Sequence, residues 1–329
     1  MCIRDRFITV PRIKDVQRRA DFKKEKWKVS TPETTIDCSA TAYFFAKQIT
    51  ETLNLPVGLV INSWGGSRIE SWMTEETLSS IQGIDIETAK SSKLDVRNRL
   101  GCLYDIMLWP VKNYTARGFL WYQGESNIFN YQFYAPMMTA MVQLWRNVWE
   151  APDMPFYYVQ IAPYKYENSR NTGAALLREA QVEALKTIPN SGIVPTTDIG
   201  DEFCIHPPQK DVVGLRLATL ALTKTYGIRR LPSNGPMMTK VDYADKKAIV
   251  TFDNAPAGLF PTFSELEGFE IAGADKKFYP AKAKIVGRTN TVEVWSEEVA
   301  QPVAVRYAFR NYVGNITLRN TFGLSAFPF

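Results

Sequence analysis

Histidine is nearly absent from this sequence: the 329 residues contain one, His206, in the run Asp201-Glu202-Phe203-Cys204-Ile205-His206-Pro207. Ester and amide hydrolysis by a serine or cysteine usually needs an imidazole base, so if this chain does such chemistry the base is His206. One histidine and no clustered carboxylates argue against a metal site. Cysteine is scarce too: Cys2, Cys38, Cys102 and Cys204 are scattered without a CxxC pair, which removes zinc and redox-pair chemistry and leaves the compartment open. No GxGxxG turn and no phosphate loop is present, so no cofactor is expected. No apolar run reaches the roughly 18 residues of a membrane span. The amino terminus, Met1-Cys2-Ile3-Arg4-Asp5-Arg6, lacks the apolar core of a signal peptide. The net charge of +5 is mild. Its most basic stretch, Arg12 to Lys28, mixes Arg18-Arg19 and Lys23-Lys24 with Asp15, Asp21 and Glu25. That is the pattern of a solvated connecting segment, not of a nucleic-acid patch.

The composition, 45% apolar and 22% charged, is that of a globular protein, and the length suggests roughly two domains. Short apolar runs ending in turns predict strands at Leu55–Asn62, Gly118–Gln123, Pro155–Ala162 and Gly192–Thr197. Helical spacing predicts helices at Ser39–Leu53, Tyr134–Trp149, Ala174–Ile188 and Gln209–Tyr226, the last through Val212, Val213, Leu215, Leu217, Leu220 and Leu222. Strands separated by helices imply an α/β fold with a parallel sheet covered on both faces and sites at the carboxyl ends of its strands. After about Arg230 the pattern becomes short alternating runs, Lys246–Phe252, Phe269–Gly273, Thr291–Trp295 and Ala304–Phe309, which predict a β-rich module. The expected division is a connecting segment over 1–30, an α/β domain over 31–230 and the β-rich module over 231–329.

Three blocks fall at predicted strand ends or just before a helix: Asn62-Ser63-Trp64-Gly65-Gly66-Ser67-Arg68-Ile69-Glu70-Ser71-Trp72-Met73, Trp121-Tyr122-Gln123-Gly124-Glu125-Ser126-Asn127 and Ile205-His206-Pro207. In this order they resemble successive blocks of the SGNH-hydrolase superfamily, and more narrowly the sialate O-acetylesterase family. Pro302–Ala308 and Gly323–Phe329 are similar to that family's carboxyl-terminal region, so the resemblance runs from about Phe7 to the end. It implies a flavodoxin-like three-layer αβα domain and hydrolysis of acetyl esters on a sugar or glycan, with sialic acid the leading substrate. It also implies a periplasmic or secreted location. By the same resemblance the oxyanion donors are the Gly65 N–H and the Asn127 amide, such donors contributing on the order of 3 kcal/mol each. His206 is the base. Family members often carry Asp three residues before this His, where Phe203 stands here, so Asp201, Asp198 or a backbone carbonyl would orient the imidazole. Gln123, Glu125 and Trp64 would touch the sugar or fix the loops. The sequence leaves the oligomeric state open.

The family's nucleophile lies in an early Gly-x-Ser-Asn-like block, and no such block occurs here. Ser63, Ser67 and Ser126 are the exposed-looking serines near the motifs, but Gly124-Glu125-Ser126-Asn127-Ile128 lacks the last glycine of a nucleophile elbow. A parallel sheet missing that block's strand would leave N–H and C=O groups unpaired. The expectation is therefore a fragment of a longer gene product, with Met1 to Arg6 foreign to the family pattern. The alternatives are a non-catalytic sugar-binding relative using Trp64, Trp72, Trp121 and Tyr122, an acetyl xylan esterase-like activity, and an unrelated hydrolase pairing Ser126 with His206. Sequencing upstream of the Phe7 codon is expected to reveal the serine block; an in-frame stop there would exclude it.

Overall fold

The computed structural model describes residues 5–14, 17–22, 25–314 and 316–329. Met1 to Arg4, and Asp15, Lys23 and Lys24 of the basic stretch, lie outside the described residues. The first two thirds alternate strand and helix in the order β1 (Arg6–Thr9), β2 (Lys28–Val29), α1 (Pro32–Thr35), α2 (Ala40–Leu53), β3 (Gly58–Ile61), α3 (Glu75–Ser79), α4 (Ile86–Lys90), β4 (Phe119–Trp121), α5 (Tyr134–Val148), β5 (Phe156–Val159), α6 (Gly173–Glu183), β6 (Ser191–Val194) and α7 (Lys210–Lys224). The contacts divide the chain into two compact units. One comprises Met1–Val159, Ala180–Ile193 and Gln209–Leu231, the other Gln160–Glu179, Val194–Pro208 and Pro232–Phe329.

In the first unit β1 runs parallel to β3 and antiparallel to β2, while β4 runs parallel to β5, with β6 on the far side of β5. Among the described residues no backbone ladder joins β3 to β4. Every residue of β5 and β6 is buried, as parallel strands under two helix layers must be. The alternation of β5 shows both layers. Phe156 packs against Trp145 of α5 and Tyr158 Oη donates to the Gln181 carbonyl of α6 at 2.7 Å, whereas Tyr157 Oη meets Thr225 Oγ1, just after α7, at 2.8 Å. The α/β architecture with a β-rich carboxyl-terminal region is thus the one expected.

Local detail departs from the sequence reading in two places. Residues 1–30, expected as a connecting segment, contribute β1 and β2, because Phe7 and Ile8 have somewhere apolar to go and are buried in the core. On α7 the helical repeat counted Leu215, which is exposed, while the neighbouring Arg216 is buried.

The second unit holds β7 (Met237–Ala244), β8 (Lys247–Asp253), β9 (Leu259–Phe260), β10 (Phe269–Ala272), β11 (Phe278–Pro280), β12 (Lys282–Ile285), β13 (Thr291–Trp295), β14 (Ala304–Tyr307) and β15 (Arg319–Asn320). Two antiparallel sheets, β12-β13-β8-β7 and β11-β10-β14, share a core that includes Val250, Phe252, Ile271, Val292, Val294 and Tyr307. The alternating burial of β8, β12 and β13 is the period of two that marked them in the sequence. Asn311 ties in the segment between β5 and α6. Its N–H donates to Asn171, its Oδ1 accepts from Ala174 N at 2.9 Å, and its Nδ2 donates to the Asn168 carbonyl at 3.1 Å.

Helices α2 and α7 touch at Gly214. A Cβ there would lie 2.7 Å from both Phe44 Cβ and the Thr41 carbonyl. Alanine in mid-helix gains about 1 kcal/mol in propensity, but overlap with atoms that cannot swing away costs up to about 3 kcal/mol. Gly214→Ala is therefore expected to lower unfolding stability by about 2 kcal/mol net, read as a lower urea midpoint at unchanged slope.

Candidate active site

The chain leaves β3 into the turn Asn62–Ser67. Arg12 Nε donates to the Ser63 carbonyl at 2.9 Å, Asn62 Nδ2 to the Met107 carbonyl at 3.3 Å, and Ser67 N to the Trp64 carbonyl at 3.3 Å. Gly66 sits at φ +75°, a left-handed conformation that favours glycine. Gly65 carries no such demand, and a Cβ on it would meet nothing within 4 Å. Arg97, paired with Asp95 at 3.5 Å, donates from Nη1 to the Gly65 carbonyl at 3.1 Å and so fixes the Gly65–Gly66 peptide. The Gly65 N–H is exposed and makes no hydrogen bond among the described residues. Trp64 is half-buried at the same turn.

The chain leaves β4 at Gln123 and turns at Gly124 into the helical loop Glu125–Phe133. Here Asn127, fully buried, is a hub. Its Oδ1 accepts from Ile69 N at 3.0 Å and from Gln123 Nε2 at 2.7 Å, and its Nδ2 donates to Glu70 Oε2 at 2.8 Å and to Asn130 Oδ1 at 3.1 Å. A backbone N–H can only donate, so the Ile69 contact fixes which end of the amide is oxygen. Both amide hydrogens are therefore in use. Serving as an oxyanion donor would mean releasing one of them, the longer bond to Asn130 being the cheaper.

Gln123 is also buried and fully engaged. It donates to the Ser67 carbonyl at 2.9 Å, and its Oε1 accepts from Tyr134 Oη at 2.8 Å. Gln181 Nε2 bridges the Gln123 and Val159 carbonyls at 3.2 Å each, holding the ends of β4 and β5 together. Of the two roles open to Gln123, the geometry displays the fixing of the loop. Burial holds the Tyr134 phenol well above its ordinary range, so it stays protonated and able to donate. Burial raises the Tyr122 phenol in the same way, with the half-buried Glu125 adding to the effect.

His206 and Asp201 belong to the second unit, on the segment after β6. Asp201 Oδ1 accepts from the Phe203 and Cys204 N–H groups at 2.7 and 2.8 Å, and Cys204 Sγ donates to the His206 carbonyl at 3.2 Å. The carboxylate thus shapes the loop. The His206 imidazole is exposed and makes no hydrogen bond, to Asp201 or any other described residue. Asp198, the other carboxylate considered, is exposed in the turn after β6, and its charge acts on Tyr307. Among the described residues no group of three or more His, Cys, Asp or Glu could hold a metal, and no helix is long and apolar enough to cross a membrane.

Among the serines, Ser63 is exposed and Ser126 half-buried, but Ser67 is buried, its Oγ accepting from Trp72 Nε1 at 3.0 Å. This corrects the expectation of an exposed Ser67: Trp72 packs edge-on against Trp121, and its indole N–H needs a partner inside. Glu70, Asn130, Tyr134 and Arg97 carried no signal of their own in the sequence. A lone acid between Ile69 and Ser71 reads as surface, yet Glu70 is buried, with Oε1 taking Asn130 Nδ2 at 2.8 Å and Oε2 taking Asn127. Glu70→Gln places an NH2 group against one of these amide donors, and Asn127 cannot turn over to compensate. The expected loss is about 2 kcal/mol in chemical unfolding.

A profile of the family described as carbohydrate esterase, sialic acid-specific acetylesterase, matches residues 19–223. The chain is 25% identical to the mouse sialate O-acetylesterase over 322 residues, covering 83% of this chain and 59% of that protein. It is 27% identical to the human sialate O-acetylesterase over 229 residues, covering 64% of this chain and 44% of that protein. The chain thus spans well under two thirds of these relatives. The solved structure of a carbohydrate acetylesterase from Xanthomonas citri superposes with a TM-score of 0.89 at 34% identity, covering 100% of this chain and 73% of that one. The chain belongs to the carbohydrate esterase family of sialic acid-specific acetylesterases.

Proposed function

We propose that the protein is a carbohydrate O-acetylesterase acting on acetyl esters of sialic acid. The observation that carries this reading is the turn at Gly65, an exposed glycine that packing does not require: its N–H has no partner among the described residues, the carbonyl of the same peptide, Trp64 C=O, accepts from Ser67 N, and Arg97 pins the next peptide. Such an amide suits the oxygen of an acetyl carbonyl as it becomes an oxyanion. The family description and the relatives' names support the ester and the sugar.

The proposed reaction follows acyl transfer through a serine. The hydroxyl attacks the acetyl carbon, His206 takes its proton, and the oxyanion is held by the Gly65 N–H and by the Asn127 amide as it lets go of Asn130. Collapse expels the sugar oxygen, which receives the proton from His206, and water then repeats the sequence on the acetyl-enzyme. The exposed imidazole suits this exchange, with Asp201 shaping its loop. Trp64 and Glu125 flank the sugar, while Gln123 keeps the β4 loop in place. No serine among residues 1–329 is assigned as the nucleophile.

The test uses the full-length gene product. It is expected to release acetate from O-acetylated sialic acid, and His206→Ala is expected to lower kcat by about 10²–10⁴-fold with an unchanged urea midpoint. Undiminished turnover in His206→Ala overturns the assignment.

A further inference from the structure

Arg68 occupies an unusual place between the two loops just described. The residues on either side of it are both clamped: the Ser67 carbonyl accepts from Gln123, and the Ile69 N–H donates to Asn127. The backbone at 68 therefore has little freedom. Its guanidinium carbon lies 4.5 Å from the ring centroid of Phe129, two residues beyond Asn127 on the β4 loop. Phe129 is 56% exposed, so the ring face that carries Arg68 is open to solvent. The Arg68 side chain has no ion pair and no hydrogen bond among the described residues. The nearest acid in sequence, Glu70, is buried and spends both oxygens on Asn127 and Asn130.

A guanidinium held over an aromatic ring is restrained in position while its N–H groups remain able to donate. Those groups match a carboxylate, which can accept two parallel N–H bonds. Arg68 stands three residues from Gly65, at most about 10 Å along the chain, a span that a nine-carbon sugar acid can cover between its acetyl group and its carboxylate. We infer that Arg68, seated on Phe129, is a specificity-determining residue that binds the carboxylate of an acidic sugar and favours it over neutral ones. This rests on the reading of Gly65 as the acetyl-oxygen donor.

The test separates charge recognition from catalysis by comparing binding of N-acetylneuraminic acid with binding of its methyl ester, by protein-observed NMR titration. The wild-type protein is expected to bind the acid about 10-fold tighter, as a charge-assisted pair implies. Arg68→Ala is expected to bring the two affinities together, and Arg68→Lys, which keeps the charge but loses the planar fork, to leave an intermediate preference. Equal affinities in the wild-type protein, no binding of either ligand, or a preference that survives Arg68→Ala each overturn the inference. Hydrolysis of an aryl acetate by the full-length gene product reports on the esterase reading separately. Turnover without acid preference defeats the role of Arg68 alone, and acid preference without turnover defeats the esterase reading alone.

Discussion

The loops after β3 and β4 are held together around one buried side-chain amide, Asn127, with the Gln123–Ser67 and Asn130–Glu70 hydrogen bonds beside it. No ladder links the two strands among the described residues, so backbone pairing cannot set the distance between the Gly65 turn and the Glu125–Phe133 loop. Side chains set it instead: Asn127 accepts from the Ile69 N–H and donates to Glu70, while Gln123 donates to the Ser67 carbonyl and Asn130 to Glu70. Each partner is buried or half-buried, so any one left unmet would cost about 1–3 kcal/mol. Gln123, Tyr134 and Gln181 carry the same constraint from the loop down to the ends of β4 and β5.

This arrangement separates two demands that a hydrolytic site makes on its loops. Polar groups that fix geometry are best buried and fully satisfied, whereas groups that meet a substrate must stay unsatisfied until it arrives. Asn127, Gln123 and Glu70 answer the first demand. The Gly65 N–H, the Arg68 guanidinium and, in the second unit, the His206 imidazole have the opposite character. Asn127 stands between the two groups, because of the two hydrogen bonds its amide donates, the 3.1 Å one to Asn130 lies within its own loop and can be released without detaching the loops.

The layered part of the fold was legible where a strand is buried on both faces and reads as an unbroken apolar run, as in Phe156–Val159. The carboxyl-terminal strands were legible because one face is buried and the alternation survives in the sequence, as in Thr291–Trp295. What escaped was set by partners far along the chain. Strand β1 is four residues beside a basic stretch, and its pairing with β2 and β3 makes it a strand. Glu70 looked like surface because the two amides that satisfy it lie 57 and 60 positions later. Of the candidate site, the motif residues were visible by resemblance, but the division of labour among them was not. Nothing in Trp-Tyr-Gln-Gly-Glu-Ser-Asn says that the glutamine and the asparagine hydrogen-bond each other.

Asn311 has a consequence for how the molecule is made. It ties the segment between β5 and α6 to the carboxyl-terminal module, and the segment carrying His206 belongs to that same compact unit. A ribosome delivers residues in order, and domains fold largely as they emerge. The loop bearing the chain's sole histidine thus has to wait for more than a hundred further residues before its unit can close. The newly made amino-terminal part carries its glycine turn and its asparagine hub before the unit that holds the imidazole has closed.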